Sequence, residues 1–290
     1  MTNKLPLLAI AVLSGVSLSL TAPVGAADLG DGTRIPQVGA TGHAGYLDFS
    51  AAPDHKAFVI APGGAWAWVS DKGSVEAAEA EALSACRQNT QQPCQLYASD
   101  DQVVFDEAAW AESWDLHVST DQAAKAPLGT GRGDRFPDLA LTAPDGRAIT
   151  LAELKGKPVF LHFWGSWCPP CQTEFVDLQK LHDSVAGDGR VAFVLVQGRE
   201  SIAKSRRWAQ KRGFTMPLYD SGHQGRAQKS FRLADGTELS DRRLVSAYPT
   251  TYILDANGLI VFHQAGAGER WKDYEQLIRH IGTPATKSTR

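Results

Sequence analysis

Two cysteines three residues apart, Cys168 and Cys171, close the stretch KPVFLHFWGSWCPPC, with Pro169 and Pro170 between them. Thiols at this spacing can form a structural bridge, supply half of a metal site, or exchange electrons with another thiol pair. Proline fits the first turn of a helix, where a missing N–H costs nothing. That puts Cys168 at the N-cap and Cys171 one turn in, with Cα atoms about 5–6 Å apart, inside the range a disulfide spans. A sulfur at the N-cap faces the positive end of the helix, which favours thiolate over thiol. One cysteine is then set to attack and the other to resolve. A zinc clip needs four ligands. The other two cysteines, Cys86 and Cys94, are far away in sequence, and His162, His182 and His223 show no ligand spacing. A purely structural bridge at a strand-to-helix junction is the remaining alternative. The residues favour a redox pair, and they call for no metal and no cofactor.

Cysteine chemistry depends on the compartment. The chain opens MTNKLPLLAIAVLSGVSLSLTAPVGAADLG, in which Lys4 is the only charged side chain before Asp28. An apolar run from Leu5 to Leu20 ends in the small residues Val24, Gly25 and Ala26. This is the layout of a secretory signal peptide over residues 1–26, cut after Ala26. An uncleaved N-terminal membrane anchor is the alternative, since the run is nearly long enough to span a bilayer. Either way the remainder is expected in the periplasm, where disulfides persist. The formal charge is −3 for the whole chain, and loss of Lys4 makes it −4. That balance gives no reason to expect nucleic acid or an acidic membrane as partner. With 43% apolar and 21% charged residues the chain is not disordered.

The elements that must position the cysteines can be read outward from them. VFLHFW is a continuous apolar run of strand length, as suits a strand buried on both faces. The segment after it carries Phe175, Leu178 and Leu181 as a helical stripe that ends near Gly187. RVAFVLVQG, TTYILDANG and LIVFHQAG read as strands, SIAKSRRWAQKRGF and RWKDYEQLIRHIG as helices. Strands alternating with helices predict an α/β domain over residues 134–283, followed by a tail at 284–290. Upstream, KAFVIA, AWAWVS, CQLYAS and QVVFD read as strands, and SVEAAEAEALSACRQN as a helix capped by Ser74. They predict a small α+β domain over residues 51–108. Trp66 and Trp68 share one strand face there, better explained as core than as a docking site. Outside the cytoplasm, Cys86 and Cys94 are expected to form a structural disulfide worth about 2.5 kcal/mol. Residues 27–50 are Gly-rich and read as an irregular arm, and residues 109–133 as a linker that runs into the Gly- and Pro-rich APLGTGRGDRFP.

FWGSWCPPC after a strand, together with YPTTYILDANGLIV downstream, resembles the TlpA/ResA group of extracytoplasmic thioredoxin-family oxidoreductases. The resemblance covers about residues 134–283. It implies a thioredoxin-like fold, a central mixed sheet flanked by helices, and thiol–disulfide exchange on protein disulfide substrates. It implies Cys168 as nucleophile and Cys171 as resolving thiol, framed by Trp167, Pro169 and Pro170. It also implies Pro249 as a cis-proline against the disulfide, leaving the backbone of Tyr248 free to pair with an extended substrate. Glu174 matches a glutamate that the group keeps near the pair, to hold or shuttle the proton of Cys171. An ordinary first-turn acid is an equal reading. His162 departs from the aspartate of thioredoxin itself, and reads either as a proton carrier or as a hydrogen-bonded core imidazole. Residues 231–247, FRLADGTELSDRRLVSA, read as an insertion beside the site. The upstream segment resembles the DUF4189-like extracytoplasmic module through GAWAWVS, the Ala-rich helix and its two cysteines, over about residues 53–106.

Two prolines between the cysteines donate no N–H to a thiolate, which leans toward a reductase, a monomer fed by a membrane electron donor. The group's usual role points to exported cysteines, including those destined for haem attachment in cytochromes c. An oxidase or isomerase of exported disulfides is the alternative within the same chemistry. A non-catalytic adaptor using the N-terminal module is the alternative from another class.

Overall fold

The computed structural model describes residues 27–281 apart from 31, 117 and 269, so the expected signal peptide and C-terminal tail lie outside it. The first part of the chain forms β1 (Ala27–Asp28), α1 (Ala40–Ser50), β2 (Ala57–Ala61), β3 (Ala65–Val69), α2 (Val75–Asn89), β4 (Gln95–Ser99) and β5 (Gln102–Val103). The strands pair antiparallel in the order β1-β5-β4-β2-β3. Strand alternation divides the sheet's residues between two helices. Ala57, Val59 and Ala61 meet Ala78 and Ala82 of α2, where small side chains let the helix lie close. Phe58 and Trp66, stacked at 5.9 Å, face the other way, with Tyr46 and Phe49 of α1. Ser74 caps α2 by accepting the Ala77 N–H. Cys86 and Cys94 are bridged, with Cα atoms 6.3 Å apart.

Two expectations are corrected here. Residues 40–50, read as the end of an irregular arm, are α1. Its glycines are packing residues: a Cβ on Gly45 would come within 2.5 Å of the Trp66 ring, so only glycine lets the helix rest on β3. Residues 109–133, read as a linker, contain most of α3 (Glu107–Glu112) and all of α4 (Thr120–Lys125). Asp106 caps α3, and Ser119 with Gln122 forms a capping box on α4. Trp110 and Trp114 from this segment are buried. Trp114 stacks on Phe262 at 5.3 Å.

The second part carries β6 (Ala140–Thr142), β7 (Ala148–Thr150), β8 (Val159–Trp164), α5 (Pro169–Val185), β9 (Ala192–Gln197), α6 (Ile202–Lys211) and β10 (Leu218–Tyr219). β11 (Ser230–Arg232), β12 (Glu238–Ser240), α7 (Asp241–Leu244), β13 (Thr250–Leu254), β14 (Ile260–Ala265) and α8 (Glu275–Ile281) follow. The central sheet runs β10-β9-β8-β13-β14, parallel on the β9 side of β8 and antiparallel on the β13 side. This is the thioredoxin-like fold. β8 is buried along its whole length: Val159, Leu161 and Phe163 enter one core, Phe160 and Trp164 the other, with α5. The α5 stripe is Phe175, Leu178, Leu181 and Val185. The helix stops at Val185, two residues short of Gly187, and a 3-10 turn over Ala186–Asp188 ends in Gly189 at φ 64°. Among the described residues no helix is long and apolar enough to cross a membrane.

Candidate active site

β8 delivers its chain to the start of α5 through Gly165, Ser166 and Trp167. Cys168 is the N-cap, and Pro169 and Pro170 occupy N1 and N2. Cys168 and Cys171 are joined as a disulfide with Cα atoms 5.3 Å apart. Cys171 is fully buried and Cys168 only 3% exposed, so a partner must reach the outer sulfur along one approach. Cys168 Sγ accepts the Cys171 N–H at 3.2 Å, the one first-turn N–H that the prolines leave. On its other side, Cys168 Sγ lies 3.4 Å from the Tyr248 carbonyl oxygen. Tyr248 precedes Pro249 through a cis peptide bond. The structure thus brings together Trp167, Cys168, Cys171, Tyr248 and Pro249.

His162 and Glu174 sit deeper, between β8 and α5. His162 is fully buried and its Nδ1 lies 2.9 Å from Thr251 Oγ1. Glu174 Oε2 accepts the Gly268 N–H and the Trp271 Nε1–H, each at 3.0 Å. The remaining atoms of the pair, His162 Nε2 and Glu174 Oε1, face each other at 3.4 Å, and neither has another hydrogen-bond partner. Burial pulls the imidazole down to about 3. Burial likewise pushes the carboxyl up to about 7, against the opposing pull of Trp271 and Gly268. The neutral arrangement that satisfies every atom has the Glu174 carboxyl donating to His162 Nε2, and His162 Nδ1–H donating to Thr251. Glu174 is therefore no surface acid serving the helix dipole; it is a buried group able to hold a proton one turn beyond Cys171.

Several residues around the cysteines carry no motif. Glu200, 3% exposed, accepts both the Ser166 N–H and the Ser166 hydroxyl at 2.6 Å, and the Ser205 hydroxyl at 2.7 Å. It pins the turn that feeds Cys168. Trp167 Nε1 donates to the Gly198 carbonyl at 2.9 Å. Its ring meets the Tyr248 ring edge-on at 5.1 Å. The Arg199 guanidinium lies 5.4 Å from the centre of that Tyr248 ring and pairs with buried Asp241 at 2.7 Å. Asp241 opens α7, so the segment read as an insertion, 231–247, reaches the site through this ion pair. The Arg199 N–H in turn donates to His223 Nδ1 at 2.9 Å. Residues 198–200 reach the site because β9 is the parallel neighbour of β8, so the chain leaving both strands emerges on the same edge of the sheet. Among the described residues there is no cluster of metal-ligating side chains.

The sequence profile of the AhpC/TSA family matches residues 132–263. The thioredoxin-like protein YneN of Bacillus subtilis is 31% identical over 166 residues, 57% of this chain and 87% of that protein. The thiol-disulfide oxidoreductase ResA of the same organism is 30% identical over 149 residues, 51% of this chain and 75% of ResA. ResA of Halalkalibacterium halodurans is 28% identical over 149 residues, with 51% and 77% covered. The redox helix, the mixed sheet and these relatives agree: the chain belongs to the ResA-like, thioredoxin-fold family of thiol–disulfide oxidoreductases.

Proposed function

We propose that the chain is a disulfide reductase for exported proteins, working outside the cytoplasm through Cys168 and Cys171. The Cys168 thiolate attacks a substrate disulfide, forms a mixed disulfide and expels one substrate thiolate, which takes a proton. The Cys171 thiolate then attacks Cys168 Sγ and releases the second substrate thiol. Two electrons pass to the substrate, and the chain is left as the disulfide. Glu174, paired with His162, is the group that takes the proton of Cys171 as its thiolate forms. The dithiol is restored by a membrane electron donor, and cysteines awaiting haem attachment are one substrate class that suits this direction. The residues 51–108 are read as the DUF4189-like module, residues 134–283 as the catalytic domain, and residues 1–26 as the export signal.

The observation that carries the reductase direction is the single N–H at Cys168 Sγ. A thiolate stabilised by fewer donors is a better electron donor, because the reduced form is less favoured. The test is the reduction potential of the pair, equilibrated against glutathione or dithiothreitol and followed by tryptophan fluorescence. A value near −270 mV supports the reductase; one near −120 mV makes the chain a disulfide donor instead.

A further inference from the structure

The chain as a whole is acidic, yet the surface around its redox pair is not. Three stretches surround Cys168: residues 165–176, 198–208 and 240–250, tied together by the Trp167, Arg199 and Tyr248 contacts. Their only carboxylates are Glu174, Glu200 and Asp241, which are 5%, 3% and 0% exposed. Their cations are placed the other way. Lys204, Arg206 and Arg207 on α6 and Arg242 and Arg243 on α7 are all exposed, and Arg199 is half-buried between the two groups. The placement follows from the site's own contacts. Glu200 buries itself under Ser166 with Lys204 Nζ at 3.3 Å, and Asp241 buries itself under Arg199. The carboxylates face inward to hold the loops and the unmatched cations are left outward. Just beyond these stretches, Asp177 is half-buried and accepts the Trp271 N–H, and Glu238 accepts the Ser230 hydroxyl.

We infer that this basic rim is a docking surface for acidic protein segments that flank the target cysteines. The inference rests on the reading of Cys168 and Cys171 as the reactive pair and adds the class of partner. Exposed like charges around a small reactive centre raise the encounter rate of oppositely charged partners and repel the others, and both effects fade with salt. The cations stand on α6 and α7, whose leading residues are tied through Trp167, Arg199 and Tyr248 to the sulfur that a protein partner must reach, which favours a protein over a lipid surface as their occupant.

The test uses the purified reduced chain and two synthetic cyclic disulfide peptides of equal length, one flanked by Asp and Glu, the other by Lys. Second-order rate constants are read from tryptophan fluorescence. The acidic peptide reacts about tenfold faster at low ionic strength. The ratio falls toward one in about 0.5 M salt, where screening reaches only a few ångströms. In R206E/R207E the preference inverts; comparing both peptides on one variant cancels any general loss of activity. Equal rates at low salt, or a preference that salt does not touch, overturn the inference. So does binding to phosphatidylglycerol vesicles without peptide discrimination, which would assign the rim to a lipid surface. If the reduced chain leaves both peptides intact, the reductase reading fails. The same ratio is then taken with the disulfide form and the dithiol peptides, where the charge preference stands or falls on its own.

Discussion

Burial moves His162 and Glu174 in opposite directions on folding. His162 falls from its ordinary 6.5 to about 3, so from about pH 3 to 6.5 the folded chain binds less proton there than the unfolded one. Stability rises with pH over that window. Glu174 rises from 4.5 to about 7, so between those values the folded chain binds more, and stability falls with pH. The two slopes cancel between 4.5 and 6.5, leaving a rise below and a fall above. Glu174→Gln keeps the acceptor for Gly268 and Trp271 and donates an amide N–H to His162, as the protonated acid does. It is expected to match the wild type at pH 5 and to exceed it at pH 8 by up to about 3 kcal/mol. Urea midpoints at the two pH values check this, and an equal difference at both would refute it. Glu200 makes the opposite case. Glu200→Ala strands the Ser166 N–H and two buried hydroxyls, and is expected to cost about 3 kcal/mol or more, read as a lowered urea midpoint. Cys168, Cys171 and Pro249 could be found in the sequence because their chemistry is tied to local motifs. Glu200, Arg199 and Asp241 could not, because their partners lie 34 and 42 residues away and nothing local marks the pairing.

The same division holds among the elements. β8, α5, β13 and β14 were legible because each is specified by its own pattern: a wholly apolar strand, a helical stripe behind an N-cap, an alternating hairpin. α1 was not. Its sequence ATGHAGYLDFS carries two glycines that argue for a loop, and the packing of Trp66 onto Gly42 and Gly45 overrides that weak preference. α4 did carry a readable sign, the Ser119-x-x-Gln122 spacing of a capping box. α5 is the element whose first turn sets the chemistry. N2 is one of the two positions whose N–H an N-cap side chain normally accepts, and here it is Pro170. Pro170→Ala supplies that N–H without disturbing a good helix former. A hydrogen bond to a charged group contributes about 1.5 kcal/mol or more, and about 1.4 kcal/mol corresponds to 30 mV for this couple. The variant is expected to be more oxidising by roughly that amount. Equilibration with glutathione measures it, and an unchanged potential would remove the argument that the prolines hold the pair reducing.

At the scale of the whole molecule, the two sheets are not beads on a string. One hydrophobic core contains Tyr46, Phe58 and Trp114 from the first part and Phe262, Tyr274 and Leu277 from the second. Trp114 is 1% exposed, stacked on Phe262 and edge-on to Tyr274. Polar contacts follow the same seam: Arg270 donates to the Ile35 carbonyl at 3.0 Å, and the Gln37 N–H donates to Asp273 at 3.2 Å. These contacts clamp the turn whose Gly268 and Trp271 donors hold Glu174. The first part of the chain therefore braces buried Glu174, one helical turn beyond Cys171, which a tether would not do. A shared core predicts shared cooperativity. In the wild type, amides of β2 and of β8 are expected to exchange with the same opening free energy under native conditions. Trp114→Ala, which removes about 3–5 kcal/mol of packing at the seam, is expected to lower protection in β2 more than in β8 and split the two. Different opening energies already in the wild type would mean that each sheet folds alone. The brace on Glu174 would then rest on the polar contacts across the seam, those of Arg270 with Ile35 and of Gln37 with Asp273 among them.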